Sequence, residues 1–184
     1  MSSAGSVEGD EHLRLFCALR LPDETLDAIE RWHREHLTGG GRLVGRGNLH
    51  ATLAFLGRRP ASDLSGIMEA LRDAAEGVGE ILLSPARYRE TRSVGMLVLE
   101  DETGEGGRLA ERLYDGLERL GVYEREQRPW LPHVTVVRYR ERPRLRPPLP
   151  DLGSFPPSDA AVYMSSLRPT GAEYAVLEAV PLGG

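Results

Sequence analysis

The feature that most constrains this chain is an internal repeat. A strand over 13–21, a helix over 24–37 and a strand over 49–56 are matched later by a strand over 95–100, a helix over 108–120 and a strand over 133–139. In the first copy a loosely alternating apolar run ends at Pro22-Asp23, with Asp23 a candidate N-cap. Leu26, Ile29, Trp32 and Leu37 then recur near helical spacing until Gly39-Gly40-Gly41 stops them. In the second, Leu109, Leu113, Leu117 and Leu120 form the stripe, Gly121 sits where a C-terminal cap belongs, and Val134, Thr135, Val136 and Val137 follow Pro132 as a strand. From the centre of the first strand to the histidine opening the last is 33 residues in one copy and 35 in the other. Two such units predict an α+β fold: two pseudo-symmetric lobes of antiparallel sheet with outer helices around a central cleft.

The rest of the chain fits around that frame. A helix begins after Ser62 or Asp63, carries Leu64, Ile67, Met68 and Leu71 on one face, and ends near Gly77. Strands are expected over 81–88, 160–167 and 173–182, the last two joined by the turn Arg168-Pro169-Thr170-Gly171. Residues 143–157 hold six of the 13 prolines and read as an irregular connector. The small, polar residues 1–10 read as a disordered tail, leaving 11–184 as a single two-lobed domain.

Composition removes several chemistries. All 23 basic residues are arginine, so no lysine is present to grip a phosphate in a Walker loop, form a Schiff base or be adenylated. Cys17 is the only cysteine, which excludes an internal disulfide and a thiolate zinc cluster and suits a cytoplasmic setting; its apolar surroundings mark it as core. No apolar run approaches the roughly 20 residues of a membrane span, and the N-terminal residues lack a secretory pattern. The net charge is −5, yet seven arginines against two glutamates make residues 125–146 locally +5. A cationic face on an acidic body suits a small anion or a nucleic-acid end, although a solvated arginine-rich loop gives the same pattern.

Of five histidines, His50 and His133 each open the last strand of a unit, and each is followed two positions later by a threonine, Thr52 and Thr135. Residues i and i+2 of a strand share a face, so each imidazole and its hydroxyl point into the same space. A two-fold axis sets the pairs opposite each other, and in-line transfer at phosphorus needs a base at the entering oxygen and an acid at the departing one. With an unperturbed pKa of about 6.5, one imidazole can be neutral while its partner is protonated. Threonine hydroxyls can donate to phosphate oxygens and nearby arginines can offset their charge.

These two segments, Asn48-Leu49-His50-Ala51-Thr52-Leu53-Ala54-Phe55-Leu56-Gly57 and Arg128-Pro129-Trp130-Leu131-Pro132-His133-Val134-Thr135-Val136-Val137-Arg138, resemble the signature motifs of the 2H phosphoesterases. Within them the chain is most similar to the RNA 2',3'-cyclic phosphodiesterase (2'-5' RNA ligase) family. Residues 13–19 with Pro22, and Ser165, Ser166, Leu167, Gly171 and Tyr174, extend the likeness to about residues 12–182. Ala51 departs mildly from the pattern, which usually carries a larger apolar residue there.

The resemblance implies hydrolysis of RNA terminal 2',3'-cyclic phosphate to a 2'-phosphate, without metal or cofactor, by a monomer that meets RNA 3' ends or small cyclic nucleotides. It makes His50 the acid for the departing 3' oxygen and His133 the base for water, with Thr52 and Thr135 on phosphate oxygens. With a 5'-hydroxyl in place of water, the same pair makes a 2'-5' linkage without ATP. Arg138 matches the family's phosphate arginine, yet by strand parity it faces away from His133 and Thr135 unless a bulge or the strand's end intervenes. Arg128 and Trp130 are further candidate substrate contacts, Trp130 either stacking on a base or anchoring the strand. A non-catalytic nucleotide-binding module could use the same residues. His33 and His36 would suit a metallohydrolase but lack an evident third ligand.

Overall fold

Every strand pairing is antiparallel in the computed structural model, which describes residues 11–183. The tail expected over 1–10 lies outside the described residues. In chain order the elements are β1 (His12–Arg20), α1 (Asp23–His36), β2 (Arg42–Leu43), β3 (Ala51–Pro60), α2 (Leu64–Ala75), β4 (Leu83–Glu90), β5 (Val94–Asp101), α3 (Glu105–Arg119), β6 (His133–Arg138), β7 (Asp159–Arg168) and β8 (Gly171–Val180). Short 3-10 turns at Arg46–Asn48 and Ala61–Asp63 precede β3 and α2. The sheet runs β4-β5-β6-β3-β1-β7-β8, with β2 on β6.

The two halves are β4-β5-β6 and β3-β1-β7-β8. They touch in the ladder at a single pair, Ala51 with Val134, so the sheet splays there into a cleft. The helices cover the other face. α1 crosses from its neighbour β1 to the opposite half: Trp32 meets Tyr88 of β4 edge-on at 6.2 Å and donates its indole N–H to the Pro148 carbonyl at 2.7 Å. α2 reaches β8 through the ion pair of Arg72 with Glu178. Gly116 lets α3 close on Ala70 of α2, where an added Cβ would sit 3.2 Å from the alanine's own. One apolar cluster runs from Leu15 to Val180 through all three helices and both halves of the sheet. On the cleft face a smaller cluster, Phe16, Ala18, Ala161 and Tyr163, packs with Tyr174.

Several boundaries differ from the sequence reading for local reasons. Pro22, not Asp23, is the N-cap of α1; Asp23 lies in the first turn, where its charge suits the helix dipole and meets Arg46. β3 does not stop at Leu56 but continues to Pro60, because Gly57 takes φ +67 and carries the chain past the turn signal. α3 starts at Glu105 rather than 108, and the Asp101 carboxylate accepts the Gly107 N–H at 2.7 Å, so its N-terminus already holds an anion. The proline-rich connector is irregular as expected. Buried Glu90 ties it down, accepting from the backbone N–H groups of Arg144 and Leu145 at 2.9 and 2.7 Å. β2 is two residues long and had no sequence signal.

Candidate active site

The Ala51–Val134 pair sets the geometry. Both residues are fully buried and point to the core. In an antiparallel ladder their neighbours face each other crosswise, so His50 lies opposite Thr135 and Thr52 opposite His133 on the cleft face. The two histidines are then diagonal neighbours, for which separations of roughly 7–8 Å are usual, and His133 is near enough to act electrostatically on His50. A cavity of about 550 Å³ is lined by His50, Thr52, Phe55, Thr135 and Arg138. A smaller one of about 260 Å³ contains His133, Trp130 and Arg128 and shares Thr52 and Phe55 with the first, so the two are compartments of one cleft.

A β-bulge immediately follows the threonine in each motif. Along β6, Thr135 pairs with Met96 and Val137 with Gly95, leaving Val136 as the extra residue. Along β3, Thr52 pairs with Ala18 and Ala54 with Cys17, leaving Leu53 extra. An extra residue reverses strand parity. Arg138 therefore faces the same side as Thr135, which removes the difficulty that simple alternation raised, and it lines the cavity. Phe55, at the same offset from His50 as Arg138 from His133, is also turned inward and is 52% exposed.

The bulges strand carbonyls that need donors, and the sequence supplies them. Trp130 donates its indole N–H to the Thr52 carbonyl at 2.9 Å, and the Tyr114 hydroxyl donates to the Leu53 carbonyl at 2.9 Å. The Val136 carbonyl accepts from the Val44 N–H at 2.9 Å, with buried His33 Nδ1 at 3.5 Å. His33 is thus a packing residue beneath β6. Among the described residues no cluster of three or more His, Cys, Asp or Glu side chains could hold a metal ion, so His33 and His36 gain no third ligand.

The imidazoles sit in different environments. His133 donates Nδ1–H to the Leu131 carbonyl at 2.9 Å, which leaves Nε2 free to accept a proton. His50 packs against Phe16, Tyr174 and Tyr163 at ring-centre distances of 4.9, 5.4 and 5.8 Å, with Nε2 3.1 Å from the Thr52 hydroxyl. Burial pushes its pKa down to about 4, and the nearby charges of His133 and Arg138 act in the same direction. His50 is therefore neutral at pH 7 in this environment. Cys17 is fully buried with its thiol pushed up to about 12, as its apolar setting implied.

His50, Thr52, Thr135 and Arg138 thus share one compartment, and His133 joins them across Thr52. Trp130 is bonded to Thr52 and borders the smaller compartment; Arg128 is at its rim, paired with Glu126. Sequence reasoning missed Phe55, although its offset matches that of Arg138. It also missed Arg14 and Arg42, which line the larger compartment. Arg42 arrives only through the pairing of β2 with β6, which carries no local sequence signal.

A cleft that gathers two imidazoles, two hydroxyls and an arginine has the groups that phosphoester chemistry calls for. The family model described as "LigT like Phosphoesterase" matches residues 19–85, which include the first motif. The RNA 2',3'-cyclic phosphodiesterase of Thermus thermophilus is 32% identical over 182 residues, covering 94% of this chain and 91% of the relative. The Escherichia coli protein of the same name is 29% identical over 170 residues, covering 91% and 96%. The crystal structure of TT0787 of Thermus thermophilus superposes with a TM-score of 0.79 at 31% identity, covering 94% of this chain and 99% of the other. Escherichia coli LigT complexed with 3'-AMP also gives a TM-score of 0.79, at 26% identity and 95% and 100% coverage. The chain belongs to the LigT-like phosphoesterase family.

Proposed function

We propose that this protein hydrolyses the terminal 2',3'-cyclic phosphate of RNA to a 2'-phosphate by general acid and base catalysis between His50 and His133. The observation that carries the reading is the crosswise register about Ala51 and Val134, which puts an imidazole on each side of one gap. His133, held by the Leu131 carbonyl, takes a proton from water as its oxygen attacks phosphorus. His50 delivers a proton to the departing 3' oxygen. The anionic cyclic phosphate supplies the charge that raises the pKa of His50 when it enters, so the acid is loaded by its own substrate. Thr52 and Thr135 donate to the non-bridging oxygens and Arg138 offsets their charge. Phe55 offers an exposed aromatic face to the terminal base. Trp130 holds the Thr52 carbonyl while its ring borders the compartment of His133, and Arg128 attracts RNA phosphate at the rim.

With a 5'-hydroxyl attacking phosphorus in place of water, the same two proton transfers break the bond to the 3' oxygen and leave a 2'-5' linkage without ATP. The larger apolar cluster, which runs through both halves of the sheet, supports one two-lobed domain, and the protein is proposed to act as a monomer. The buried, unpaired Cys17 suits the cytoplasm. Among the described residues no helix is long and apolar enough to cross a membrane. The test is phosphorus NMR of a short RNA ending in a 2',3'-cyclic phosphate, incubated with the protein and EDTA. Conversion of the cyclic signal to a 2'-monoester is the expected outcome; a 3'-monoester overturns the regiochemistry, and an unchanged signal overturns the reaction.

A further inference from the structure

The larger compartment holds more positive charge than one cyclic phosphate requires. Arg14, Arg42 and Arg138 all line it, and among the described residues none of the three has a carboxylate partner. Arg42 and Arg138 are direct cross-strand partners of β2 and β6. Like charges so placed repel each other, so the pair opposes folding unless an anion lies between or beside them. Arg42 is nevertheless held in position. Its Nη1 donates to the Thr170 carbonyl at 3.2 Å in the β7–β8 turn. That turn makes room for it at Gly171, where φ is +128 and an added Cβ would come within 2.9 Å of the same nitrogen.

From the proposed function we infer that Arg42 forms a second anion subsite, which takes the phosphodiester on the 5' side of the terminal nucleotide. Arg138 lies two ladder steps beyond Thr135 once the bulge is discounted, so Arg42 opposite it is roughly 7 Å farther along the strand than the reacting phosphate. That offset matches the step from one backbone phosphate to the next. Arg14 stands apart from it, with its guanidinium 5.2 Å from the Phe55 ring centre, on the side where the terminal base would stack. The subsite makes the protein prefer an RNA end to a free cyclic mononucleotide.

The test compares kcat/KM for adenosine 2',3'-cyclic phosphate with that for an adenylyl-adenosine dinucleotide ending in the same group. The wild type should favour the dinucleotide, and Arg42→Gln should lower the dinucleotide-to-mononucleotide ratio about tenfold, the effect of roughly 1.4 kcal/mol. A dinucleotide whose internal linkage is a neutral methylphosphonate should lose the same preference on the wild type and lose nothing further on the variant. If Arg42→Gln weakens both substrates equally, Arg42 serves the reacting phosphate and the subsite is overturned; an unchanged ratio with unchanged rates overturns it too. If the wild type turns over neither substrate, the phosphodiesterase reading itself falls and takes the subsite with it. Circular dichroism of the variant identifies a folding defect, and Arg42→Met then repeats the comparison with the aliphatic stem kept.

Discussion

The His50 half of the cleft and the His133 half share a backbone course, histidine, spacer, threonine and bulge, and differ in what surrounds it. His50 is enclosed by Phe16, Tyr163 and Tyr174, which exclude water and resist its protonation. His133 is tethered through Nδ1 to a carbonyl of its own chain, which fixes the tautomer. After the bulge one strand presents Phe55 and the other Arg138. A repeated scaffold thus supplies positions, while the packing around each copy assigns the chemistry. In the proposed mechanism symmetry sets the two imidazoles about the reacting phosphate, and its local breakdown makes them different.

The sharpest way to break this comparison is to remove either imidazole. His50→Ala and His133→Ala should each lower kcat by about 10²–10⁴, and the double variant should be little worse than either single one, because the two act as a unit. Retained affinity for a nucleoside 2'-phosphate would separate this from a binding module, in which affinity falls and no turnover exists to lose.

Next in size is the arginine. Arg138→Ala should lower kcat by about 10²–10³, in line with the loss of a pre-placed donor to developing charge. Steady-state kinetics on a cyclic-phosphate RNA end would check it, and a change confined to KM would contradict the placement.

The aromatic enclosure of His50 has its own signature. Its folded pKa of about 4 lies below the unfolded value near 6.5, so protonation favours unfolding. This contribution to stability is intact above pH 6.5 and is lost as pH falls through 4, by about 3 kcal/mol in all. Urea unfolding of wild type and His50→Gln from pH 7 to 4 should show the two stabilities converging on acidification; parallel curves would mean that the enclosure is leaky.

Smaller effects separate Phe55 from its counterpart. Phe55→Ala should raise KM for an RNA end about tenfold, within the usual 1–3 kcal/mol of base stacking, and leave kcat largely intact, the opposite pattern to Arg138→Ala. Smallest of all, Trp130→Phe should lower stability by about 1 kcal/mol through the lost bond to the Thr52 carbonyl. Thermal unfolding would measure it, and a much larger drop in kcat than in stability would give Trp130 a direct place on the substrate.

Much of the frame was legible in the linear pattern because it rests on local periodicity. The stripe of Leu109, Leu113 and Leu117 marked α3, and the β-branched run after Pro132 marked β6. Where local signals gave way, longer-range pairing had decided. Gly57 looked like a strand end, yet pairing with Leu15 of β1 carries β3 through it. Trp130 was open between a base and an anchor, and only the stranded Thr52 carbonyl shows what its N–H meets.

The amino-acid order by itself determined that two histidine-threonine pairs sit at the heads of matched strands, because side-chain alternation along a strand is a property of neighbouring residues alone. It also determined the chemistry on offer, with arginine as the sole basic anchor and one inert thiol. Tertiary structure alone decided that the pairs meet crosswise at Ala51 and Val134, that Val136 and Leu53 bulge and so turn Arg138 and Phe55 inward, and that Arg42 joins them. Register, bulges and burial depend on which distant strand supplies the hydrogen bonds and which side chains exclude water, and no local window of sequence contains that partner.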